Sequence, residues 1–434
     1  MFGALLFSKQ ISPVYYLALF HFIRFLCIYL TAAALSKFLP TNILYLYEQL
    51  NLYAGTFTFA LWTGIVQYYL ANEPSCDERE KKVLLGQCLI VLWAGSLLAG
   101  IGILLLGLWR LENEWNEAIS WFAISTILTS SGTLLEYYFF VKKEVKKMLL
   151  LGAIYYIIMG ILTVYCLYVE GSIIRTFQYV GIVSLIKLII SIFIYKNETE
   201  WTFEVKLNKK IGIGIGLLIG VSLVGGLADY LDGFIVGNYV NEKEFILYRY
   251  GARELPFSLI LANAFAVGFS NKIAEGNALG KLKEVLSELR KESWILFPIL
   301  FIPTILLMVF SKEFFAFMNR EEFASASTIF NIYLLLIMSR LLFPQAVILG
   351  LGKNNILFKV SIIEFAVHFI LSIILVQHFG TVGVAWATVI AYMVDKILLI
   401  GYCWRLGVGL DEVVPLRFWV IWTAILIGFY LAIG

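Results

Sequence analysis

Charge is scarce in this chain of 434 residues: Asp, Glu, Lys and Arg make up 15%, against 61% hydrophobic residues. A soluble chain of that length would keep far more charge on its surface, so an ordinary soluble fold is excluded. Histidine is scarcer still, at three residues (His21, His368, His378). The five cysteines (Cys27, Cys76, Cys88, Cys166, Cys403) are odd in number and scattered through apolar context. They suggest neither a disulfide framework nor a metal knuckle. No G-x-x-x-x-G-K-[ST] loop is present, so transport powered by ATP bound to this chain is not expected, and no other cofactor is implied. The loops assigned to the outer side are short, which leaves little room for the catalytic loop of a membrane polymerase or transferase. A net charge of +3 gives no support for nucleic-acid binding. The N-terminus starts apolar but lacks the basic region and small-residue cleavage site of a removable signal peptide.

What fills the chain instead is a series of long apolar stretches, and mean hydropathy reaches +0.86. About 20 apolar residues cross a bilayer as a helix. Spans are expected near 12–36, 42–71, 83–109, 117–141, 147–169 and 173–195, then near 211–238, 254–275, 293–311, 324–351, 356–378, 380–404 and 416–433. The expected architecture is an all-α polytopic membrane protein. Residues 1–196 and 211–405 form six-helix bundles joined by a cytoplasmic linker, 197–210, and residues 406–434 add one C-terminal helix. With six spans each, both bundles enter the membrane from the same side, as a parallel repeat does. Basic residues set the orientation, because Lys and Arg favour the cytoplasmic side. With the N-terminus inside, the inner loops hold Arg79, Lys81, Lys82, the Lys142–Lys147 group, Lys196 to Lys210 and Lys272 to Lys291. The bias over all loops exceeds two to one.

Two local patterns stand out. Leu279, Leu282, Leu286 and Leu289 recur at helical spacing among Lys281, Lys283 and Arg290, which predicts a short amphipathic helix on the inner surface. Gly212, Gly216 and Gly220 form a small-xxx-small pattern that allows close helix contact.

Charges inside the spans carry the functional signal, because each costs roughly 3 kcal/mol at mid-helix and so faces the bundle interior or a wet cavity. Arg24 sits midway along the first span, with His21 one turn before it and Thr31 two turns after, on one face. A guanidinium suits a phosphate or carboxylate; a structural ion pair with Glu48 or Glu136 is the other reading. Asp229 and Asp232 lie three apart in the seventh span, and Glu364 and His368 four apart in the eleventh. Either set can hold a proton, or the aspartates Na⁺, although the aspartates fall towards the outer helix end, where solvation would make them ordinary. Adjacent Asp395 and Lys396 are expected to seek partners on different helices. Arg340 precedes Pro344 by four residues, where a kink frees a backbone carbonyl.

Three stretches carry a family resemblance: ADYLDGFIVGNYVNEKEFILYRYGARELPF at 228–257, SRLLFPQAVILGLGKNN at 339–355 and HFGTVGVAWATVIAYMVDK at 378–396. They resemble the polysaccharide or O-antigen flippases (Wzx type) of the multidrug/oligosaccharidyl-lipid/polysaccharide exporter superfamily. Tyr250, Gly251 and Pro256 match the family's loop after the seventh helix, and Gly380, Gly383, Ala385 and Ala387 its G-x-x-G-x-A-x-A opening of the twelfth. The resemblance implies two bundles around a central cavity that work by alternating access in a bacterial inner membrane. The cargo would be an oligosaccharide on undecaprenyl pyrophosphate, destined for lipopolysaccharide O-antigen or another surface polysaccharide. A polysaccharide polymerase and chain-length machinery would be partners. Basic residues generally line the family's cavity; Arg24 and Arg340, with His21, are the candidates here. Glu136, Asp229, Asp232, Glu364, His368 and Asp395 are the candidates for H⁺ or Na⁺ coupling. A multidrug exporter of the same fold is the alternative, and it would want an acid-lined cavity.

Overall fold

The computed structural model describes residues 13–200, 205–253 and 256–433, and they are helical apart from short connections. By their contacts they divide into two units, residues 1–230 and 231–434.

The first unit opens with α1 (Pro13–Phe38) and α2 (Thr41–Asn72). α3 (Glu78–Arg110) starts at Asp77, which builds a reciprocal cap with Glu80: Asp77 Oδ1 accepts from the Glu80 amide at 2.7 Å, and Glu80 Oε2 from the Asp77 amide at 3.1 Å. Two of the four amides orphaned at a helix start are thereby satisfied. The fourth span is broken into α4 (Asn116–Ser131) and α5 (Leu135–Val141). α6 (Val145–Tyr165) ends in a π turn that closes at Gly171 with φ +61°, and α7 (Ile173–Tyr195) is capped by Ser172. α4 packs on α3 and α7, α1 on α6, and α2 on α3. Leu89, Leu92, Leu134, Leu135 and Met148 sit in the core between them. α8 (Val205–Tyr239) contains the division between units, after Tyr230.

The second unit continues with α9 (Glu242–Gly251), α10 (Pro256–Ala278), α11 (Leu282–Val309) and α12 (Ser311–Met318). Its tenth span is interrupted twice, giving α13 (Ala326–Leu334), α14 (Ile337–Arg340) and α15 (Pro344–Gly350). α16 (Asn354–Arg405) runs through two expected spans and is broken at Gly380, whose φ of +57° and ψ of −139° suit only glycine. α17 (Leu410–Val413) leads to α18 (Leu416–Ile433), which docks on α11. There Phe418 stacks on Trp294 at 4.0 Å between centroids, and Trp419 Nε1 donates to the Met338 carbonyl at 3.0 Å.

Among the described residues nine helical stretches are long and apolar enough to cross a membrane, against thirteen expected spans. Four expected spans are missing from that count, and two of them have visible causes. α16 counts once although Gly380 divides it, and α2, at 32 residues, carries too many polar side chains to qualify by apolarity.

Two local expectations are corrected. Residues 282–291 do not form a separate surface helix. They are the first turns of α11, after a turn at Gly280 (φ +70°), and Leu286 and Leu289 are buried while Leu279 is exposed. The amphipathic pattern reflects a helix half packed against its own unit. Among the described residues the Gly212, Gly216 and Gly220 stripe makes no close contact, since a Cβ built at any of the three meets nothing within 4 Å. The tight approach is made from the other side, where a Cβ on Gly64 of α2 would lie 2.6 Å from the Ile219 amide nitrogen of α8. The linker residues Trp201 to Glu204 lie outside the described residues.

Candidate functional site

The first unit encloses a cavity of about 650 Å³. α2 supplies one wall through Tyr47, Asn51, Thr58, Trp62 and Gln67, which is why this helix is polar for a membrane span. Thr31 of α1, Ser125 and Thr129 of α4, and Thr163 of α6 add hydroxyls; Tyr137, Tyr156, Phe177 and Tyr230 add aromatic faces. Arg24 is the cavity's cation, and its described lining contains no Asp, Glu or Lys. The Arg24 guanidinium lies 5.4 Å from the centre of the Tyr156 ring. Among the described residues no ion pair joins it to Glu48 or Glu136.

Glu136 is engaged elsewhere. It accepts from Lys187 Nζ at 2.6 Å, and both side chains are buried. The same ammonium sits 4.2 Å from the centre of the Tyr155 ring, and the Tyr155 hydroxyl meets Ser184 Oγ at 2.9 Å. Ser184 Oγ in turn lies 2.8 Å from Thr129 Oγ1 on the cavity wall. Lys187 is thus neutralised and braced, whereas Arg24 faces the open volume. The Glu136 carboxylate therefore serves this pair in the described arrangement. His21 is half-buried between the rings of Phe20 (5.2 Å) and Tyr137 (6.2 Å) and is not part of the lining.

The second unit holds a polar network with a different chemistry. Asp232 of α8 is buried, which corrects the expectation of a solvated position near the helix end. His368 Nε2 lies 3.0 Å from its Oδ1 and 3.1 Å from its Oδ2. Ser372 donates to Oδ1 at 3.1 Å, and Thr388 (2.8 Å) and Tyr248 (3.2 Å) donate to Oδ2. Tyr333 extends the network, 2.9 Å from the Tyr248 hydroxyl. The expected pairing of His368 with Glu364 is replaced by this contact with Asp232; Glu364 is half-buried one turn away with no hydrogen bond among the described residues. The Asp229 side chain lies outside the described residues.

Asp395 and Lys396 were expected to part company, yet Lys396 Nζ returns to Asp395 Oδ2 at 3.0 Å and reaches Gln345 Oε1 at 3.2 Å. A four-carbon stem is long enough to overcome the angular offset between neighbouring helical positions. Arg340, at the break between α14 and α15, places its guanidinium 4.6 Å from the centre of the Tyr392 ring. Ser372 follows His368 by four residues on the same helix face, so that partner was within reach of helical spacing. Tyr248, Thr388 and Tyr155 carried no such signal, since neutral hydroxyls are common inside membrane bundles.

Residues 211–420 match the model of a family described as "Polysaccharide biosynthesis protein". Over 187 residues the chain is 25% identical to the "Probable low-salt glycan biosynthesis flippase Agl15" of Haloferax volcanii, covering 41% of this chain and 38% of that protein. The chain thus spans less than half the length of this curated relative. Among solved structures, it is similar to the lipid II flippase MurJ in an inward closed conformation, with a TM-score of 0.63 and 17% identity, covering 97% of this chain and 98% of that one. An inward-facing MATE family transporter of the MOP superfamily aligns with a TM-score of 0.67 and 13% identity over 93% and 99% of the two chains. The fold is therefore the MATE and MurJ fold, and the protein is a multi-pass membrane protein. The fold implied by the three sequence stretches holds, and all three stretches lie within the matched residues 211–420.

Proposed function

We propose that the protein is a flippase that carries a lipid-linked oligosaccharide across the cell membrane. The observation that carries this reading is the cavity of the first unit, with one arginine, many hydroxyls and aromatic rings, and no acid in its described lining. An anionic phosphate–sugar headgroup needs a cation for its charge, donors and acceptors for its hydroxyls, and flat apolar surfaces for its ring faces. A lipid tail needs no site at all, because it can remain in the bilayer. A volume of about 650 Å³ lies within the ordinary range of small-ligand sites. A cation exporter would want acidic walls, so the acid-free lining disfavours that alternative. The names of the similar proteins, a glycan biosynthesis flippase and a lipid II flippase, support the cargo class.

In finer detail, the cargo is an oligosaccharide on undecaprenyl pyrophosphate in a bacterial inner membrane, moved by alternating access of the two six-helix bundles. Arg24 is the principal anion contact, with His21 its neighbour one turn earlier. Arg340 is the second cation, placed beside the break in the tenth span. The two halves are interrupted at corresponding positions, the fourth span at Gly132–Leu134 and its counterpart at Leu341–Phe343. Matched interruptions of that kind mark substrate sites in repeat transporters.

The test is a lipid extract of a strain lacking the protein, examined by mass spectrometry for lipid-linked oligosaccharides. Build-up of one complete repeat unit is expected and would identify the cargo. An unchanged lipid pool with altered sensitivity to cationic drugs would overturn the flippase in favour of an exporter, and a repeat unit missing a sugar would indicate a transferase.

A further inference from the structure

We propose that the cavity of the first unit reads its glycan by accepting hydrogen bonds, so that the cargo is a neutral oligosaccharide with free hydroxyls and acidic sugars are refused; this inference rests on the flippase reading. It starts from where the wall hydroxyls have placed their protons. Thr58 Oγ1 donates to the Ala54 carbonyl at 2.7 Å and Ser125 Oγ to the Phe122 carbonyl at 2.8 Å. Thr133 Oγ1 donates to the Thr129 carbonyl at 3.2 Å and Thr176 Oγ1 to the Ser172 carbonyl at 3.0 Å. All four residues line the cavity. A hydroxyl has one proton and two lone pairs, so each of these offers the cavity lone pairs only. Asn51, on the same lining, spends one amide proton on the Tyr47 carbonyl at 3.0 Å and keeps its Oδ1 as an acceptor. Back-bonding to a carbonyl one turn earlier is common in helices, and a single case would carry nothing. Here such acceptors come from α2, α4, the break after α4, and α7, around one volume.

The donors left on the lining are neutral apart from Arg24. Thr31, Thr63, Thr126 and Thr163 keep hydroxyl protons with no acceptor among the described residues. The indole N–H of Trp62, whose nitrogen is buried, has none either. Sugar hydroxyls answer both kinds of group, since each can donate to a spent hydroxyl and accept from a free one.

An ionised carboxylate accepts only. Against the four spent hydroxyls it would set lone pair facing lone pair. Its charge would also need a second cation, because the phosphate linker claims Arg24. Lys187, behind the wall, is neutralised by Glu136 at 2.6 Å. A charge taken out of water without a partner is strongly disfavoured. The cavity thus takes negative charge at Arg24 and neutral, donating groups elsewhere.

The test uses the full-length protein in nanodiscs and synthetic probes on one short isoprenyl pyrophosphate: no sugar, glucose, glucuronic acid, and glucose with every hydroxyl methylated. Calorimetry should show the glucose probe binding at least about tenfold tighter than the glucuronic acid and methylated probes. Methylation is the sharper comparison, because it keeps every sugar oxygen as an acceptor and removes every donor. Thr133→Val should weaken the glucose probe by about three- to tenfold and leave the sugar-free probe unchanged, and Thr133→Ser should restore it. Equal binding of glucose and glucuronic acid, or of glucose and its methylated form, overturns the inference; if that binding is lost in Arg24→Ala, the anion site beneath it stands. Absence of binding by every probe overturns the flippase reading and this inference with it. In the lipid extract of a strain lacking the protein, the accumulated repeat unit should contain only neutral sugars. An acidic sugar in that unit overturns the inference while leaving the flippase in place.

Discussion

A cation inside a membrane bundle needs either a counter-charge or a wet wall, and the first unit provides one of each. Lys187 has its carboxylate, Glu136, at 2.6 Å; Arg24 has a cavity and one aromatic ring. The two should respond differently to mutation. Glu136→Ala leaves a buried ammonium without compensation, an error that costs about 3–5 kcal/mol. A large drop in the thermal unfolding midpoint of the detergent-purified protein is expected, and Glu136→Leu combined with Lys187→Leu should recover most of it. Arg24→Ala removes no partner from another buried charge, so protein level and melting should hold while complementation of a null strain is lost. Losing a desolvated contact to an anion costs about 2–5 kcal/mol. Arg24→Lys should restore only part of the activity, because an ammonium cannot make the bidentate contact of a guanidinium. Full activity of Arg24→Ala would remove Arg24 from the site. The sequence singled out Arg24 from the cost of placing a charge in a span and offered Glu136 as one possible ion-pair partner. It left open whether the two meet, because spacing within one helix says nothing of what a neighbouring helix presents.

Helices that are apolar all round hide the face they bury, and the glycines of α8 illustrate this. Gly212, Gly216 and Gly220 read as a contact stripe, but the contact runs through Gly64 on α2 against the backbone of Ile219. Gly64→Ala should therefore destabilise by about 1–3 kcal/mol, the usual cost of forcing an extra carbon into a packed contact. Gly216→Ala should be neutral or stabilising by up to about 1 kcal/mol through helix propensity. Thermal shifts of the two variants measured side by side check the assignment, and the reverse order would return the contact to the α8 stripe. Helix existence and order were legible because some 20 apolar residues have few alternatives in a bilayer. The breaks were legible only in part. Pro344 and Gly380 announced theirs, whereas the interruption at Gly132–Leu134 lies in an unremarkable Ser–Ser–Gly–Thr run. It is stabilised by tertiary contacts, among them Trp93 Nε1 donating to the Ser131 carbonyl at 3.3 Å.

At the scale of the molecule, the asymmetric distribution of Lys and Arg orients the chain, and contacts within the first unit support the same assignment. Lys142, from the loop after the fourth span, lies 2.8 Å from Glu198 in the linker, and Arg79, after the second span, 3.0 Å from Glu200. The Lys142 ammonium beside Glu198 holds that carboxyl below its ordinary range. Three loops assigned inside by charge thus meet at one end of the unit. Two of the loops assigned outside approach each other through the rings of Phe38 and Tyr168, at 5.5 Å. Charge counting alone could not have matched these partners, but it grouped the loops by rule, because translocating Lys and Arg is disfavoured whatever the fold. A cysteine replacing exposed Lys146, in a background with the five native cysteines replaced, should therefore resist an impermeant thiol reagent in intact cells and react once the membrane is opened. Asn113→Cys, in the loop after the third span, should react in intact cells. Inverted membrane vesicles should exchange the two results. Rapid labelling of Lys146→Cys in intact cells, with Asn113→Cys protected, would turn the protein over in the membrane and place the basic end of the first unit outside.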